Sequence, residues 1–201
     1  MPVRVTFWTD VVCPFCYLAA APLGRLAGEG AIELRVRPFE IHPETPREGI
    51  PLEKFGREKV DKLYREVAWM AGDAGLALLK PARLPQSRLA LEAIEMARAA
   101  RGEAAATDFA GRAMAAYFRE GLDLGDEGVL RGIARAVGVE RDPQDKCFLA
   151  RGWKDAVDGA RRDAEDAMVQ AVPAMDVGGI PALGYQTYPE LVNLVERAKK
   201  R

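Results

Sequence analysis

Hydrophobic and polar residues alternate in two short segments near the start of the chain. Residues 2–8 (PVRVTFW) and residues 32–39 (IELRVRPF) follow this two-residue period, which is typical of β-strands. Between them, apolar residues recur every three or four positions from Pro14 to Leu26. Proline suits the first turn of a helix, because its missing N–H is not needed there. A strand, a helix and a strand within about 40 residues predict a βαβ unit with parallel strands.

The middle of the chain has a helical period instead. Apolar residues recur at helical spacing in residues 60–67, 91–97, 109–117, 129–137 and 153–170. These stripes predict a run of helices that pack through their apolar faces, and none of them has the character of a cofactor-binding motif.

Strand character returns near the C-terminus. Residues 174–177 and 180–183 flank Gly178-Gly179, a pattern that predicts a β-hairpin with a two-residue turn, and a last helix is predicted from about Pro189. The ends of the chain are therefore α/β and the middle is helical. We predict one α/β domain formed by residues 1–57 and 168–201, interrupted by an all-helical insertion at residues 58–167.

Composition and charge exclude several classes of function. Hydrophobic residues make up 49% of the 201 residues and charged residues 29%, as in an ordinary globular domain. The net charge of −1 gives no basic field for nucleic acid or a membrane surface. No apolar run approaches the roughly 18 residues of a membrane span, and no secretory signal pattern is present at Met1, so we expect a cytoplasmic protein.

Two cysteines lie three positions apart where the first strand gives way to the first helix, in VTFWTDVVCPFCYLA. At a helix start, backbone N–H groups and the helix dipole favour the thiolate and can lower a cysteine pKa from about 8.5 to roughly 3.5–7.5. We therefore predict that Cys13 is an exposed nucleophile and that Cys16, one turn on, is a more buried resolving thiol. Pro14 and Phe15, between them, are expected to tune the pKa of Cys13.

A zinc site is the alternative interpretation of the same pair. The chain has one further cysteine, Cys147, and one histidine, His42, which together could complete a Cys3His set. Neither has the paired spacing of zinc ligands, and a C-x-x-C motif between a strand and a helix is typical of thioredoxin-like redox proteins. Redox chemistry is therefore favoured, and Cys147 is expected to be a small buried hydrophobic residue.

Four segments resemble one family. FWTDVVCPFC, RPFEIHPETPREGIP, AAYFREGLDLGDEGVL and AVPAMDVGGIPALGYQTYPELV are similar, in this order, to the FrnE-like branch of the DsbA thioredoxin-fold oxidoreductases. The resemblance implies a thioredoxin fold with a large helical insertion between the N-terminal βαβ unit and the C-terminal hairpin plus helix. It also implies a thiol–disulfide oxidoreductase that acts on protein or small-thiol disulfides. Such an enzyme needs no metal or organic cofactor and is recycled by glutathione or a protein thiol.

The resemblance further implies a cis-proline beside the redox pair, just before the last hairpin. Pro173 and Pro181 are both candidates, and we choose Pro173 because it leaves room for two strands and a glycine turn before Gly184. A cis bond at this proline would turn the backbone of Val172 toward the disulfide, where a substrate chain could pair as an added strand.

Two polar residues and a second enzyme class remain open at this point. Asp10, three residues before Cys13, could relay protons or cap the loop, and capping is favoured. His42 could shuttle protons, but a surface or packing role is favoured. The fold is also similar to that of glutathione-dependent kappa-class transferases and 2-hydroxychromene-2-carboxylate isomerases. Those enzymes use a single serine or cysteine near the helix start, so the presence of both Cys13 and Cys16 favours redox chemistry.

Overall fold

The N-terminal segment folds as the predicted βαβ unit. The computed structural model describes residues 1–139 and 151–201, so Cys147 lies outside the described residues. The unit comprises β1 (Val3–Thr9), α1 (Pro14–Gly28) and β2 (Ile32–Pro38). Strands β1 and β2 are parallel, and their register runs from Val3 opposite Ile32 to Thr9 opposite Pro38. The apolar residues of both strands point into the core, which explains the two-residue period of the sequence.

The C-terminal segment completes the sheet. It comprises β5 (Ala174–Val177), β6 (Ile180–Leu183) and α7 (Tyr188–Lys199). The strand order is β2-β1-β5-β6, and β5 is antiparallel to both β1 and β6. Gly178 and Gly179 form the turn with φ values of 57° and 84°, a conformation that glycine adopts without strain. Strand β6 lies at the edge, where Pro181 removes no ladder hydrogen bond from a neighbouring strand.

Five helices lie between the two halves of the sheet, among the described residues. They are α2 (Arg57–Asp73), α3 (Arg88–Arg101), α4 (Glu103–Phe118), α5 (Glu127–Ala136) and α6 (Lys154–Asp166). None of the described helices is long and apolar enough to cross a bilayer.

The prediction of an all-helical insertion is wrong in one detail. A short strand inside it, β4 (Arg83–Leu84), pairs antiparallel with β3 (Ile50–Pro51), which is followed by a 3-10 turn at Leu52–Phe55. Pro81 and Pro85 flank β4 and keep this stretch out of a helix, because proline disrupts a helix interior. The small sheet joins the segment between α2 and α3 to the loop that follows β2.

The helices pack directly on the α/β part, and one continuous hydrophobic core runs through both. This core includes Val5 and Phe7 of β1 together with Phe109 and Phe118 of α4. Tyr17 of α1 stacks on Phe118 with ring centroids 5.2 Å apart. The Tyr17 hydroxyl donates to the carbonyl of Ala77 at 2.8 Å. The first helix of the α/β part is thus held on one side by the inserted segment.

Candidate active site

The N-terminus of α1 carries both cysteines of the C-x-x-C motif. Cys13 is the N-cap residue, in an extended conformation, and Pro14 follows at the first helical position. The backbone N–H of Cys13 donates to the carbonyl of Asp10 at 3.1 Å, which fixes the turn that leads into the helix. Cys16 lies in the first turn, and both thiols are free. The structure therefore brings the two cysteines together at a helix N-terminus, where thiolate is favoured.

The two thiols have pKa values shifted in opposite directions. The Cys16 thiol, which can donate to the Cys13 sulfur, holds the pKa of Cys13 below its ordinary value, and the backbone N–H groups of Cys16 and Phe15 act in the same sense. Burial raises the pKa of Cys16 well above its ordinary value, and the neighbouring Cys13 raises it further. A nucleophilic thiolate beside a protonated partner is the arrangement that thiol–disulfide exchange requires.

Cys13 is more enclosed than the sequence suggests. We expected an exposed sulfur, but Cys13 is only 5% exposed and Cys16 is fully buried. The Cys13 sulfur lies 3.8 Å from the carbonyl oxygen of Val172, so the segment before β5 covers one side of it. Tyr64 of α2 is close enough that the charge of Cys13 adds to the effect of burial in raising the Tyr64 pKa. The inserted helices therefore supply part of the cover, which no local pattern around the cysteines indicates.

Pro173 follows directly on the residue whose carbonyl contacts Cys13. The Val172–Pro173 peptide bond is cis, and the Pro173 carbonyl accepts a hydrogen bond from the N–H of Gly184 at 2.8 Å. Pro181 is an exposed residue of the edge strand β6. The carbonyl of Val172 is the backbone group that faces Cys13.

Asp10 is a fully buried carboxyl group that receives three hydrogen bonds. Its Oδ1 accepts from the N–H of Val12 at 3.3 Å, the local contact expected of a loop cap. Its Oδ2 accepts from the N–H of Ile41 at 2.9 Å and from the Ser87 hydroxyl at 3.0 Å. Burial raises the pKa of Asp10 to about 6, although these three donors and their preference for the ionised form act against it.

An apolar groove of about 350 Å³ opens beside the C-x-x-C motif. Its walls come from the motif, the loop after β2, the 3-10 turn and α2, and they consist of Val12, Pro14, Phe15, Ile41, His42, Leu52, Phe55, Lys59, Val60, Leu63, Tyr64 and Leu84. A concave, mainly apolar space with a few polar groups at its rim is typical of a site for a ligand or for a substrate side chain.

His42 lines this groove, and its side chain is paired with a glutamate of the same loop. Its Nδ1 is 3.0 Å from a carboxylate oxygen of Glu44, and its ring lies 5.7 Å from that of Phe55. Within residues 1–139 and 151–201, no three histidine, cysteine or acidic side chains gather as a metal-binding cluster. Cys147, the third cysteine of the zinc hypothesis, is outside that part of the chain.

Ser87 and Tyr64 are site neighbours that sequence reasoning did not find. Ser87 is separated from Asp10 by 77 positions, and Tyr64 belongs to an ordinary apolar helical stripe. Neither lies in a motif. A serine just before a helix is read as a cap, so nothing in the sequence indicates that its hydroxyl reaches another segment.

Comparisons with known proteins agree with this geometry. The DSBA-like thioredoxin domain family matches residues 4–196. YwbO of Bacillus subtilis (strain 168), whose own function is uncharacterised, is 25% identical over 182 residues, which are 89% of this chain and 88% of YwbO.

Solved structures share the fold at lower identity. A probable DsbA oxidoreductase, SCO1869 of Streptomyces coelicolor, has a TM-score of 0.81 at 22% identity, with 99% of this chain and 91% of that one covered. A 2-hydroxychromene-2-carboxylate isomerase has a TM-score of 0.73 at 19% identity, with 98% and 95% covered. The cytosolic disulfide reductase DsbM of Pseudomonas aeruginosa, in a structure with GSH, has a TM-score of 0.72 at 14% identity, with 98% of each chain covered.

The family match spans nearly the whole chain, from β1 to the last turns of α7, and so includes the inserted helices. The predicted thioredoxin fold and the predicted family are both confirmed. This chain belongs to the DsbA-like thioredoxin family.

Proposed function

We propose that this protein is a thiol–disulfide oxidoreductase in which Cys13 is the nucleophile and Cys16 the resolving thiol. The observation that carries the proposal is the pair of free thiols at the start of α1 whose pKa values are shifted apart. Pro14 and Phe15 lie between them and form part of the groove wall, so they shape access to the pair.

The reaction is two successive thiol–disulfide exchanges. The Cys13 thiolate attacks one sulfur of a substrate disulfide, a mixed disulfide forms, and the second substrate sulfur leaves as a thiolate that takes up a proton. Cys16 then loses its proton and attacks the Cys13 sulfur, which breaks the mixed disulfide and releases the first substrate sulfur. That sulfur also leaves as a thiolate and takes up a proton. Two electrons pass from the enzyme to the substrate disulfide, and the two protons that the substrate takes up match those lost by Cys13 on ionising and by Cys16; the reverse sequence oxidises a substrate dithiol.

Val172 and the groove give the substrate its position. The carbonyl of Val172 lies 3.8 Å from the attacking sulfur, so an extended substrate segment that pairs with Val172 would hold its own sulfur close to Cys13. Side chains next to the substrate cysteine would enter the apolar groove. Protein dithiols and disulfides are therefore the proposed substrates.

Recycling requires only another thiol or disulfide. Glutathione or a protein thiol would supply it, without a metal or an organic cofactor. DsbM, which shares the fold, is described as a cytosolic disulfide reductase and its structure was solved with GSH, which supports a glutathione-linked role in the cytoplasm. Nucleic acid and membranes are not among the proposed partners, in keeping with the net charge of −1.

The test measures which cysteines form the redox couple. The protein is equilibrated in glutathione buffers of graded ratio, its thiols are trapped by alkylation, and Cys13, Cys16 and Cys147 are assigned by peptide mass. We expect Cys13 and Cys16 to oxidise together at one midpoint while Cys147 stays reduced. The Cys16→Ser variant is expected to accumulate the mixed disulfide at Cys13, because no resolving thiol remains.

Two results would contradict the proposal. One is a pair that never closes at any glutathione ratio. The other is a Cys13→Ser variant that keeps full disulfide-exchange activity. A Cys147→Ser variant is the matched control, because it removes a cysteine outside the motif and should leave the midpoint unchanged.

The second candidate is a glutathione-dependent transferase or isomerase of small molecules. It is supported by the fold shared with the 2-hydroxychromene-2-carboxylate isomerase and by the apolar groove beside Cys13, which could hold a small aromatic substrate. Cys16→Ala separates the candidates: a transferase keeps its turnover of a small electrophile with glutathione, whereas a disulfide oxidoreductase loses its exchange activity.

A further inference from the structure

Ser87 occupies a helix cap position but does not cap its helix. It immediately precedes α3, yet its backbone is helical (φ −81°, ψ −17°) and its side chain makes no capping hydrogen bond. An N-cap serine normally has an extended backbone, and its hydroxyl accepts from the second or third N–H of the helix. Here the fully buried hydroxyl instead donates to Oδ2 of Asp10 at 3.0 Å. The Ser87 carbonyl still accepts from the N–H of Leu91 in α3, but its side chain bonds to the loop before Cys13.

Asp10 is the point where three segments of the fold meet. Its carbonyl accepts from the N–H of Cys13, and its carboxyl group accepts from Val12 in the same loop. The other two donors are Ile41, after β2, and Ser87, at the start of α3. The N–H groups of Val12 and Ile41 can only donate, so they favour the carboxylate over the protonated acid. The Ser87 hydroxyl donates to the same carboxylate and also lowers the pKa of Asp10.

We propose that Ser87 is a positioning residue for the pair of thiols. Its hydrogen bond holds the ionised carboxylate of Asp10 in the loop that leads to Cys13, and the helical insertion thereby limits how readily Cys13 forms a thiolate. The inference rests on the proposed function for its biological meaning. The physical coupling between Ser87, Asp10 and Cys13 holds for the reduced protein whether or not it turns over a substrate.

The coupling acts through charge. The Asp10 carboxylate opposes ionisation of the Cys13 thiol, so it raises the Cys13 pKa against the lowering by Cys16 and the helix start. The Ser87 hydrogen bond lowers the pKa of Asp10, which burial raises to about 6. Loss of that bond therefore makes Asp10 protonate more readily, which removes negative charge from the site and favours the Cys13 thiolate.

Several other ionisable groups surround Asp10 and come from different parts of the fold. Cys13 and Cys16 face it from α1, Glu40 from the loop after β2 and Tyr117 from α4. Arg88, next to Ser87 on α3, is directed elsewhere, with its guanidinium on Glu40, Glu92 and Asp158. No cation contacts the Asp10 carboxyl group within the described residues, so the hydrogen-bond donors alone offset its burial.

The experiment measures Cys13 ionisation directly. The reduced wild type and the variants Ser87→Ala, Ser87→Thr, Asp10→Asn and Ser87→Ala/Asp10→Asn are alkylated with iodoacetamide between about pH 5 and pH 9, and the rate at Cys13 is read by peptide mass. Thr107→Ala is the matched control, because Thr107 lies on helix α4 of the insertion and its buried hydroxyl has no hydrogen-bond partner among the described residues.

We expect Ser87→Ala to increase the Cys13 alkylation rate by about threefold or more near pH 6 to 7, since a hydrogen bond to a charged group changes proton affinity by about tenfold. Asp10→Asn should give an increase at least as large, which persists to higher pH. Ser87→Thr restores the hydroxyl and should return the profile to that of the wild type. Thr107→Ala should leave the profile unchanged.

The double variant decides whether Ser87 acts through Asp10. If it does, Ser87→Ala has no further effect in the Asp10→Asn background. The proposal is overturned if Ser87→Ala leaves the profile of the wild type intact, or if it shifts the profile equally in both backgrounds. Should Ser87→Ala fail to fold, Asp10→Asn still tests the coupling, and an unchanged Cys13 profile in that variant overturns it.

This outcome is separate from that of the proposed function. Failure of Cys13 and Cys16 to oxidise together in glutathione buffers would refute the oxidoreductase assignment while the alkylation profiles still report the Ser87–Asp10 coupling. Unchanged profiles with normal oxidation would refute the coupling and leave the oxidoreductase assignment in place.

Discussion

Asp10 makes the stability of the protein depend on pH in an unusual direction for a carboxyl group. Its pKa of about 6 in the folded protein lies above the ordinary value of 3.8 because the group is fully buried. Between these two pH values the folded protein holds a proton that the unfolded chain has released. Stability from this group is therefore complete at low pH and is lost as pH rises through the folded-state pKa.

We expect Asp10→Asn to remove this dependence. The free energy of unfolding of the variant minus that of the wild type should become more positive by about 2 kcal/mol between pH 4 and pH 7, as urea denaturation of the reduced proteins would measure. Asp123→Asn is the control, because that carboxylate is exposed and accepts one local hydrogen bond from Gly125. A difference that stays constant with pH would show that Asp10 does not carry a raised pKa.

At the residue scale, features formed by neighbouring residues could be predicted from the sequence, and contacts between distant segments could not. Cys13 and Cys16 could be identified because the spacing and the strand-to-helix context are both contained in fifteen residues. The burial of Cys13 could not be predicted, and neither could the hydrogen bond from Ser87 to Asp10. Both depend on segments that are far apart in the sequence and close only in the folded chain. Ser87 also has the sequence pattern of a helix cap, which conceals its contact with Asp10.

The hairpin turn between β5 and β6 depends on two adjacent glycines, which differ in how closely their neighbours approach. Gly178 has φ 57°, and a Cβ added there would lie 3.0 Å from both Ala198 Cβ on α7 and Val3 Cγ1 on β1. Gly179 has φ 84°, but its nearest neighbour would be the flexible end of Arg201 at 3.7 Å. Both positions favour glycine for their backbone, and only Gly178 is also closed in by neighbours.

We expect Gly178→Ala to destabilise the protein more than Gly179→Ala. Each substitution costs about 1–2 kcal/mol for the left-handed backbone, and Gly178→Ala adds about 1–3 kcal/mol from the close contacts with α7 and β1. Urea denaturation of the two variants measures the difference. Equal losses would mean that α7 and β1 move aside without cost.

Elements with a clear period were predictable, and the short ones were not. The strands β1, β2, β5 and β6 follow an alternating or glycine-punctuated pattern, so their positions could be read directly. Strand β4 has two residues, too few to show any period, and it forms only because Ile50 and Pro51 lie opposite it in the fold. Tertiary contacts decide the structure of such short segments.

At the scale of the whole molecule, a partly buried ionic cluster joins the inserted helices to the α/β part. Arg88 of α3 contacts Glu40 after β2 at 3.0 Å and Asp158 of α6, and its Nε lies 3.4 Å from Glu92. Glu92 is fully buried and also accepts from Arg151, with the shortest contact at 2.6 Å. Every acidic group in the cluster therefore has a cationic partner, which is what makes its burial tolerable.

We expect Arg88→Met to destabilise the protein by about 3 kcal/mol, because it removes the cation beside the buried Glu40 and leaves Glu92 with Arg151 alone. Arg57→Met is the matched control, since it breaks the exposed pair of Arg57 with Glu53 and should change the stability much less than Arg88→Met. Urea denaturation gives both values. Similar small losses in both variants would mean that the remaining arginine contacts are sufficient for the cluster.

The shared core leads us to expect that the α/β part and the insertion unfold as one unit. Trp8 is the only tryptophan of residues 1–57 and 168–201, while Trp69 and Trp153 lie in the insertion. In a Trp69→Phe/Trp153→Phe variant, fluorescence reports the α/β part, and far-UV circular dichroism mainly reports the inserted helices. Because the core is continuous and Asp10 is bonded to Ser87 across the boundary, the two urea transitions should coincide. Two separated midpoints would instead show that the insertion is an independent domain, and its control over Cys13 would then depend on a docked interface that could open.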